Sequence, residues 1–404
     1  MRLRHPRLHP DLALVVLAML GAVLLALPAP ARAQAKGQIK LATQSPLSGG
    51  QSALGEGIKL GTQLAIDQRA GALEKLGYKV SLVAFDDQAK PDVGVANAKN
   101  LVTDPEILAV VGHLNSGVAM PSSEIYHDAK LAMISPANTN PIITDRNYAN
   151  ISRVCGRDDV QGVVAAEYAR TLKVKTAYVL HDKTTYGQAV AEFFRDHAKK
   201  VGIEVVGFEG TEEKSNFDPL LTPIKARRPD LLYFGGIYDQ GAPFFKQAAE
   251  KGIKAVFMGP DGMSSSDLAK IGGKAVVGMW YTSAAAPVSL YPQARDFAKA
   301  YKAKFGKDPE PYAAESYDAA VVALKAIEAA AKANGGKAPT REAVGAAVRK
   351  LKHDGITGHI EFDAKGDRRK AGYFVLQVGS DDPAKWGDNK LVKRLDIDPP
   401  ALKN

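Results

Sequence analysis

The sequence predicts an α/β fold built on parallel central sheets, on three observations. From Gln38 onward, short β-branched or apolar runs alternate with longer segments of helical composition, the pattern of strands joined by crossover helices. The alternation runs through twice, so two units of one kind are expected. In both units the strand-like runs end in short polar loops, which in an open α/β sheet face a common crevice where small ligands bind.

The first 33 residues stand apart from this pattern. Met1 to Pro10 carries Arg2, Arg4 and Arg7, Leu12 to Leu27 is a nearly unbroken apolar run, and Ala31-Arg32-Ala33 follows Pro28 and Pro30. This is the three-part layout of a secretory signal, with cleavage expected after Ala33. The run is short for a membrane span, and no cysteine stands at the cleavage point to take a lipid. The expected mature protein is therefore soluble, without a lipid anchor, and outside the cytoplasm.

At 404 residues, 46% hydrophobic and 24% charged, the chain is long enough to bury real cores. Its formal charge of +9 becomes +6, from 49 basic and 43 acidic side chains, once the first 33 residues are removed. The longest basic cluster is Arg368-Arg369-Lys370, and basic and aromatic residues do not interleave, so no nucleic-acid partner is expected. The single cysteine, Cys155, excludes an internal disulfide and follows the apolar stretch Ile151 to Val154, where it is expected to pack rather than react.

The first unit has candidate strands at Ile39 to Thr43, Lys79 to Phe85, Ile107 to Val111 and Leu131 to Ile134. Helical segments lie between them at Ile58 to Arg69, Val93 to Val102 and Val118 to Ala129. The unit runs out in the polar stretch Asp145 to Asn150. The second series begins near Asp158, with strands at Thr176 to Leu180, Glu204 to Phe208, Leu231 to Gly235, Ala255 to Met258 and Val276 to Tyr281. Its helical segments are Val160 to Leu172, Ala189 to Val201, Pro219 to Ala226 and Ala242 to Lys251. After Ser283 come helices at Pro292 to Lys304, Ala313 to Ala333 and Arg341 to Leu351. Two late runs, Ile360 to Phe362 and Tyr373 to Val378, are too short for a sheet of their own and are expected to complete the earlier units. The tail Ser380 to Asn404 is expected to lie along the surface.

The loops that matter most follow Ile107 to Val111 and Leu131 to Ile134. Gly112-His113-Leu114-Asn115-Ser116-Gly117 and Ser135-Pro136-Ala137-Asn138-Thr139 bring the hydroxyls of Ser116 and Thr139 and unpaired backbone N–H groups into the crevice, a setting suited to a carboxylate. A nucleophilic Ser116 with His113 or His181 as base is a poor alternative: there is no G-x-S-x-G elbow, and no acid is placed in sequence to orient His113. Gly55-Glu56-Gly57 with Gly61 has the wrong spacing for a dinucleotide loop. No P-loop or H-E-x-x-H occurs, and the eight histidines are dispersed, so neither a cofactor nor a metal is indicated and no enzymatic activity is expected. Asp261, in Pro-Asp-Gly, is a good turn residue in its own right. Tyr317 lies in a helix among alanines; Met258 and Trp280 are most simply buried.

With these loops in view, the chain resembles the leucine/isoleucine/valine-binding proteins, periplasmic receptors of ABC importers with the type I periplasmic binding fold. The matching stretches run in order through both units: Ala42 to Gly50, Phe85-Asp86-Asp87 with Pro91, Val111 to Leu114, Ile134 to Ala137, His181-Asp182-Lys183 with Tyr186-Gly187, Tyr233 to Gly236, Phe257 to Pro260 with Gly262, and Phe362-Asp363 with Gly366-Asp367.

The resemblance implies two Rossmann-like lobes, 38–156 with 285–365 and 157–284 with 366–396, joined by a three-segment hinge and closing on a ligand. It assigns an amino acid's carboxylate to Ser116 and the backbone of Thr139, and its ammonium to the Ala137 carbonyl, the Thr139 hydroxyl and Asp261, with Tyr186 covering the cleft. Leu54, Asn115, Asn138, Tyr238 and Tyr317 are further candidates for the pocket lining. The implied partners are an aliphatic or branched-chain amino acid and an inner-membrane ABC permease with cytoplasmic ATPase subunits, for a periplasmic monomer. A same-fold sensor for an amide, aromatic acid or other small compound is the alternative. The chain departs from the family in having Asp at 261 where Glu is usual, Ile237 ahead of Tyr238 after the Gly-Gly pair, Leu54 in place of an aromatic, and Ala89 and Asn115 in place of a cysteine pair.

Overall fold

The computed structural model describes residues 36–401, so the expected signal segment lies outside the described residues. The first sheet comprises β1 (Gly37–Ser45), β2 (Tyr78–Asp86), β3 (Ile107–Gly112), β4 (Ala132–Ser135) and β5 (Ile151–Arg153), all parallel, in the order β2-β1-β3-β4-β5. Strand β3 is central and buried at every position. Strands covered on both faces read as continuous apolar runs, which is why Ile107 to Val111 is unbroken. Strand β5 was not expected; at three residues it is too short to show a period.

The second half contains β6 (Thr176–His181), β7 (Glu204–Gly210), β8 (Leu231–Gly235), β9 (Val256–Gly259) and β10 (Trp280–Ser283). The late strands are β11 (Lys352–Gly355), β12 (Gly358–Glu361), β13 (Ala371–Gln377) and β14 (Lys390–Ile397). The second sheet has the order β14-β13-β10-β9-β8-β6-β7, with β13 antiparallel to both its neighbours.

Two expectations need correction and a third needs refinement. The run Ile360 to Phe362 joins neither large sheet: β12 pairs with β11 in a separate hairpin. The tail lies exposed along the surface as expected, but part of it is ordered as an edge strand, because β14 pairs with β13 along its length. The stretch Val276 to Tyr281 is not one strand; a 3-10 turn at Gly273–Val276 precedes β10.

Several helices begin earlier than apolar periodicity suggests, among them Ser116–Asp128, Asp158–Thr171, Thr185–Lys200 and Tyr238–Glu250. Their first turns carry polar groups, which breaks the pattern by which a helix is recognised. The alanine-rich helix Ala313–Ala333 packs on Ser52–Arg69. Their close approach requires Gly61, where a Cβ would stand 2.2 Å from the Ala313 carbonyl oxygen. No helix among the described residues is long and apolar enough to cross a membrane.

The chain passes between the halves after β5, after β10, and between β12 and β13. The first and third passages are riveted together. Arg153, fully buried, holds Asp367 Oδ1 through Nε at 2.7 Å, and Arg157 Nη1 holds Asp367 Oδ2 at 2.7 Å. Burial raises the Asp367 pKa, but the two guanidinium groups outweigh it and hold the carboxyl at about 2. Asp367 is delivered by a turn in which Asp363 Oδ1 accepts from the backbone N–H groups of Lys365, Gly366 and Asp367. Gly366 adopts φ +101°, a conformation open to glycine. Arg368 Nη1 then donates to the Val154 carbonyl at 3.0 Å.

Candidate functional site

The loops after β3 and β4 lie side by side. Ser116 opens its helix and is buried, and its Oγ has no hydrogen-bond partner. Thr139 Oγ1 is likewise buried and unpartnered, although the Thr139 carbonyl accepts from Asp158 N–H at 2.9 Å. Ala137 is buried beside it. Asn138 is not free to line a pocket. Its Oδ1 accepts from His113 N–H at 2.9 Å and Ser135 Oγ at 2.7 Å, and its Nδ2 donates to the Leu114 carbonyl at 2.9 Å, so it braces the two loops. Leu54 is packed into the core.

The structure supplies the acid beside His113 that sequence spacing did not reveal: Nδ1 is 3.5 Å from Asp87 Oδ2. The other ring nitrogen lies 3.4 Å from Tyr126 Oη, and Ser116 Oγ hydrogen-bonds to neither nitrogen.

From the second half comes Asp261, 1% exposed. Tyr186 Oη donates to its Oδ1 at 2.5 Å, Gln161 Nε2 donates to the same oxygen at 2.9 Å, and Tyr312 Oη donates to Oδ2 at 2.7 Å. Gly262 makes this approach possible: a Cβ there would lie 2.3 Å from the Gly236 carbonyl oxygen and 3.1 Å from Tyr186 Cε1. Burial raises the Asp261 pKa, opposed by the three donors. The phenols of Tyr186 and Tyr312 are pushed well above their ordinary range by burial and by the Asp261 charge, so they remain donors at neutral pH.

A second carboxylate stands next to the first. Asp158, the first residue of its helix, is fully buried, and Gln161 Nε2 donates to its Oδ1 at 3.3 Å as well as to Asp261. Asp158 Oδ2 makes no well-formed hydrogen bond, with the Thr139 hydroxyl close to the carboxylate. Burial, then the Asp261 charge, drives the Asp158 pKa well up, while the nearby Thr139 hydroxyl and Arg153 oppose the shift.

Several bonds join the halves around this cluster. Tyr238 Oη donates to the Gly50 carbonyl at 2.7 Å, Gln51 Nε2 to Asp239 Oδ1 at 3.3 Å, and Asn140 Nδ2 to the Thr185 carbonyl at 3.0 Å. Asn115 Nδ2 supports Gln51 through its Oε1 at 2.8 Å. Tyr317 is not among these residues: its hydroxyl donates to Gln68 Oε1 at 2.8 Å and accepts from Arg69 Nε at 3.0 Å. The tyrosine of this segment that joins Tyr186 on Asp261 is Tyr312, one residue ahead of the helix, at φ +69°.

Sequence reasoning missed Asp158, Gln161 and Tyr312. The one signal for Asp158 is an acid at the start of a helix, which dipole stabilisation alone explains. Gln161 and Tyr312 carry no local signal.

A model of the periplasmic binding protein family matches residues 38–383. The chain belongs to that family. Among its relatives, the "Amino acid binding protein" of Pseudomonas aeruginosa is 34% identical over 86% of this chain and 91% of its own length. The "Leucine-, isoleucine-, valine-, threonine-, and alanine-binding protein" of the same organism is 34% identical, over 85% and 90%. A leucine-binding protein from Thermotoga maritima, 29% identical, covers 89% of this chain and 99% of its own with a TM-score of 0.79. A solute-binding protein from R. palustris in complex with 4-hydroxybenzoate, 22% identical at TM-score 0.79 over 90% and 98%, shares the fold. The type I periplasmic binding architecture expected from the sequence is the one observed.

Proposed function

We propose that this periplasmic binding protein captures an amino acid, aliphatic or branched-chain, between its two halves and delivers it to an inner-membrane ABC permease driven by cytoplasmic ATPase subunits. It is exported by the N-terminal signal and acts in the periplasm as a monomer, binding its guest without transforming it. The observation that carries this reading is the pairing of buried, unpartnered hydroxyls at Ser116 and Thr139 with buried carboxylates at Asp158 and Asp261.

A zwitterion leaving water needs donors at one end and anionic or carbonyl oxygens at the other. Ser116 Oγ, the N–H groups opening its helix and the Thr139 backbone serve the carboxylate. The Ala137 carbonyl, Thr139 Oγ1, Asp261 and Asp158 serve the ammonium. Charge-assisted hydrogen bonds net about 1.5–3 kcal/mol each, so four or five suffice for the roughly 8 kcal/mol of micromolar affinity. Bonds between the halves, such as Tyr238 to Gly50, favour the closed arrangement, and a ligand that touches both sides adds to that preference.

Calorimetric titration of the protein with the common amino acids, followed by mass analysis of recovered ligand, tests the proposal. Tight binding of L-leucine or a related amino acid, recovered unchanged, is expected. Binding of benzoate with no amino acid bound, or chemical turnover, overturns it.

A further inference from the structure

We propose that the empty cleft stores one proton shared between Asp158 and Asp261, and that the incoming ammonium expels it, so that capture of an amino acid releases a proton to solvent. The inference rests on the functional reading above for the identity of the cation. It stands on the geometry of Gln161. That amide cannot be reversed, because its Oε1 accepts from Asp261 N–H at 2.7 Å and from Thr282 Oγ1 at 3.2 Å. Its Nε2 therefore faces both carboxylates, donating to Asp261 Oδ1 and Asp158 Oδ1. One amide thus bridges two acids, each 1% exposed or less. Two such groups in a dry site do not ionise together, and they titrate as a pair.

The surrounding groups do not neutralise a second negative charge. Arg153 is the cation acting on Asp158, but its Nε holds Asp367 Oδ1, its Nη1 donates to the Asn138 carbonyl, and its Nη2 to Thr144 Oγ1 and the Pro141 carbonyl. Asp159, a further acid acting on Asp158, is paired with Arg157 and adds no positive charge. Tyr186, Tyr233 and Tyr312 keep their protons through burial and the charges of the two acids, and burial holds the Cys155 thiol protonated. Glu315, also in range of Asp261's surroundings through Cys155 and Tyr312, is itself acidic and adds no positive charge.

Asp158 Oδ2, which makes no well-formed hydrogen bond and lies near the Thr139 hydroxyl, is the seat for either a proton or an N–H of the guest. When an ammonium occupies it, both acids ionise against one positive charge, and the displaced proton passes to buffer. The sign follows: below the pKa of the pair, affinity falls about tenfold for each unit of pH, and above it affinity is flat.

The test is calorimetry of L-leucine binding near pH 7 in buffers of different ionisation enthalpy, whose slope counts protons. Release of about one proton is expected for the wild type, and near zero for Asp158→Asn, where a lone Asp261 with three donors stays ionised. No release by the wild type, or equal release by both proteins, overturns the inference. If Asp158→Asn does not fold by circular dichroism, Asp158→Ser, which likewise removes the second carboxylate and leaves Asp261 untouched, takes its place with the same expected outcome. If no amino acid binds, the ligand reading fails by itself. Carbon NMR of aspartate-Cγ-labelled protein without ligand then decides: a protonated carboxyl at neutral pH that vanishes in the variant supports the stored proton, and two ionised carboxylates overturn it.

Discussion

Tyr312 reaches across the cleft to Asp261, its hydroxyl donating to Oδ2 at 2.7 Å, and so ties the helix that covers the first sheet to the loop that closes the second. The bond is made to a buried carboxylate that also receives Tyr186 and Gln161. Tyr312→Phe removes one charge-assisted bond worth about 1.5–3 kcal/mol. L-leucine affinity is expected to fall roughly ten- to a hundredfold, read by calorimetry, with little change in melting temperature. An unchanged affinity would show that Asp261 is oriented adequately without it.

Ser116→Ala and Asp261→Ala each remove a pole of the proposed grip. Each is expected to weaken amino-acid binding by at least about tenfold, on the scale of a single lost charge-assisted bond. Full affinity in both would show that the zwitterion lies elsewhere.

Glu315 offers a test of pH dependence read on stability. It is buried, its Oε1 accepts from Tyr291 Oη at 2.9 Å, and burial, then opposed by hydrogen bonds and by Arg368, raises its pKa to about 7. Because the folded value lies above the unfolded one, the neutral form is favoured by folding. Its contribution is complete below about pH 4 and is lost as pH rises through 7. Glu315→Gln is therefore expected to leave stability near pH 4 unchanged and to raise it at pH 8 by about 1–3 kcal/mol. Denaturant melts at the two values of pH measure this, and an equal effect at both would contradict it.

Asp367 has the opposite sign. Its pKa, held at about 2 by Arg153 and Arg157 against burial, lies below the unfolded value. The stability it contributes is present above about pH 4 and is lost as pH falls toward 2. Asp367→Asn leaves Arg153 buried without its counter-ion and is expected to cost about 3–5 kcal/mol at neutral pH. Chemical denaturation near pH 7, compared with pH 3, checks both the size and the narrowing of the difference.

The central strands were legible because strands buried on both faces must be continuous apolar runs, as at Ile107 to Val111 and Leu231 to Gly235. The loops carrying Ser116, Thr139, Tyr186 and Asp261 followed from where those runs stop. What remained hidden depends on partners far off in the chain. Gln161 meets Asp261 across 100 residues and Tyr312 meets it across 51, and neither spacing has a period. Tyr317 carries the same side chain as Tyr312, five positions along, but it sits inside the helix and turns to Arg69 and Gln68. Strand β14 was hidden for another reason: KLVKRLDI puts charges where a buried strand would show apolar residues, since it lies at the sheet's margin.

That margin has a practical corollary. Lys390, Lys393 and Arg394 give the outermost strand a cationic rim, a common guard against one molecule's sheet extending into another's. Strand β13 beneath it, with Tyr373 to Leu376 buried, has no such guard. A protein cut back to Asn389 would present that row of open backbone groups and apolar side chains to solvent. It is expected to self-associate on storage while the full-length chain stays dispersed.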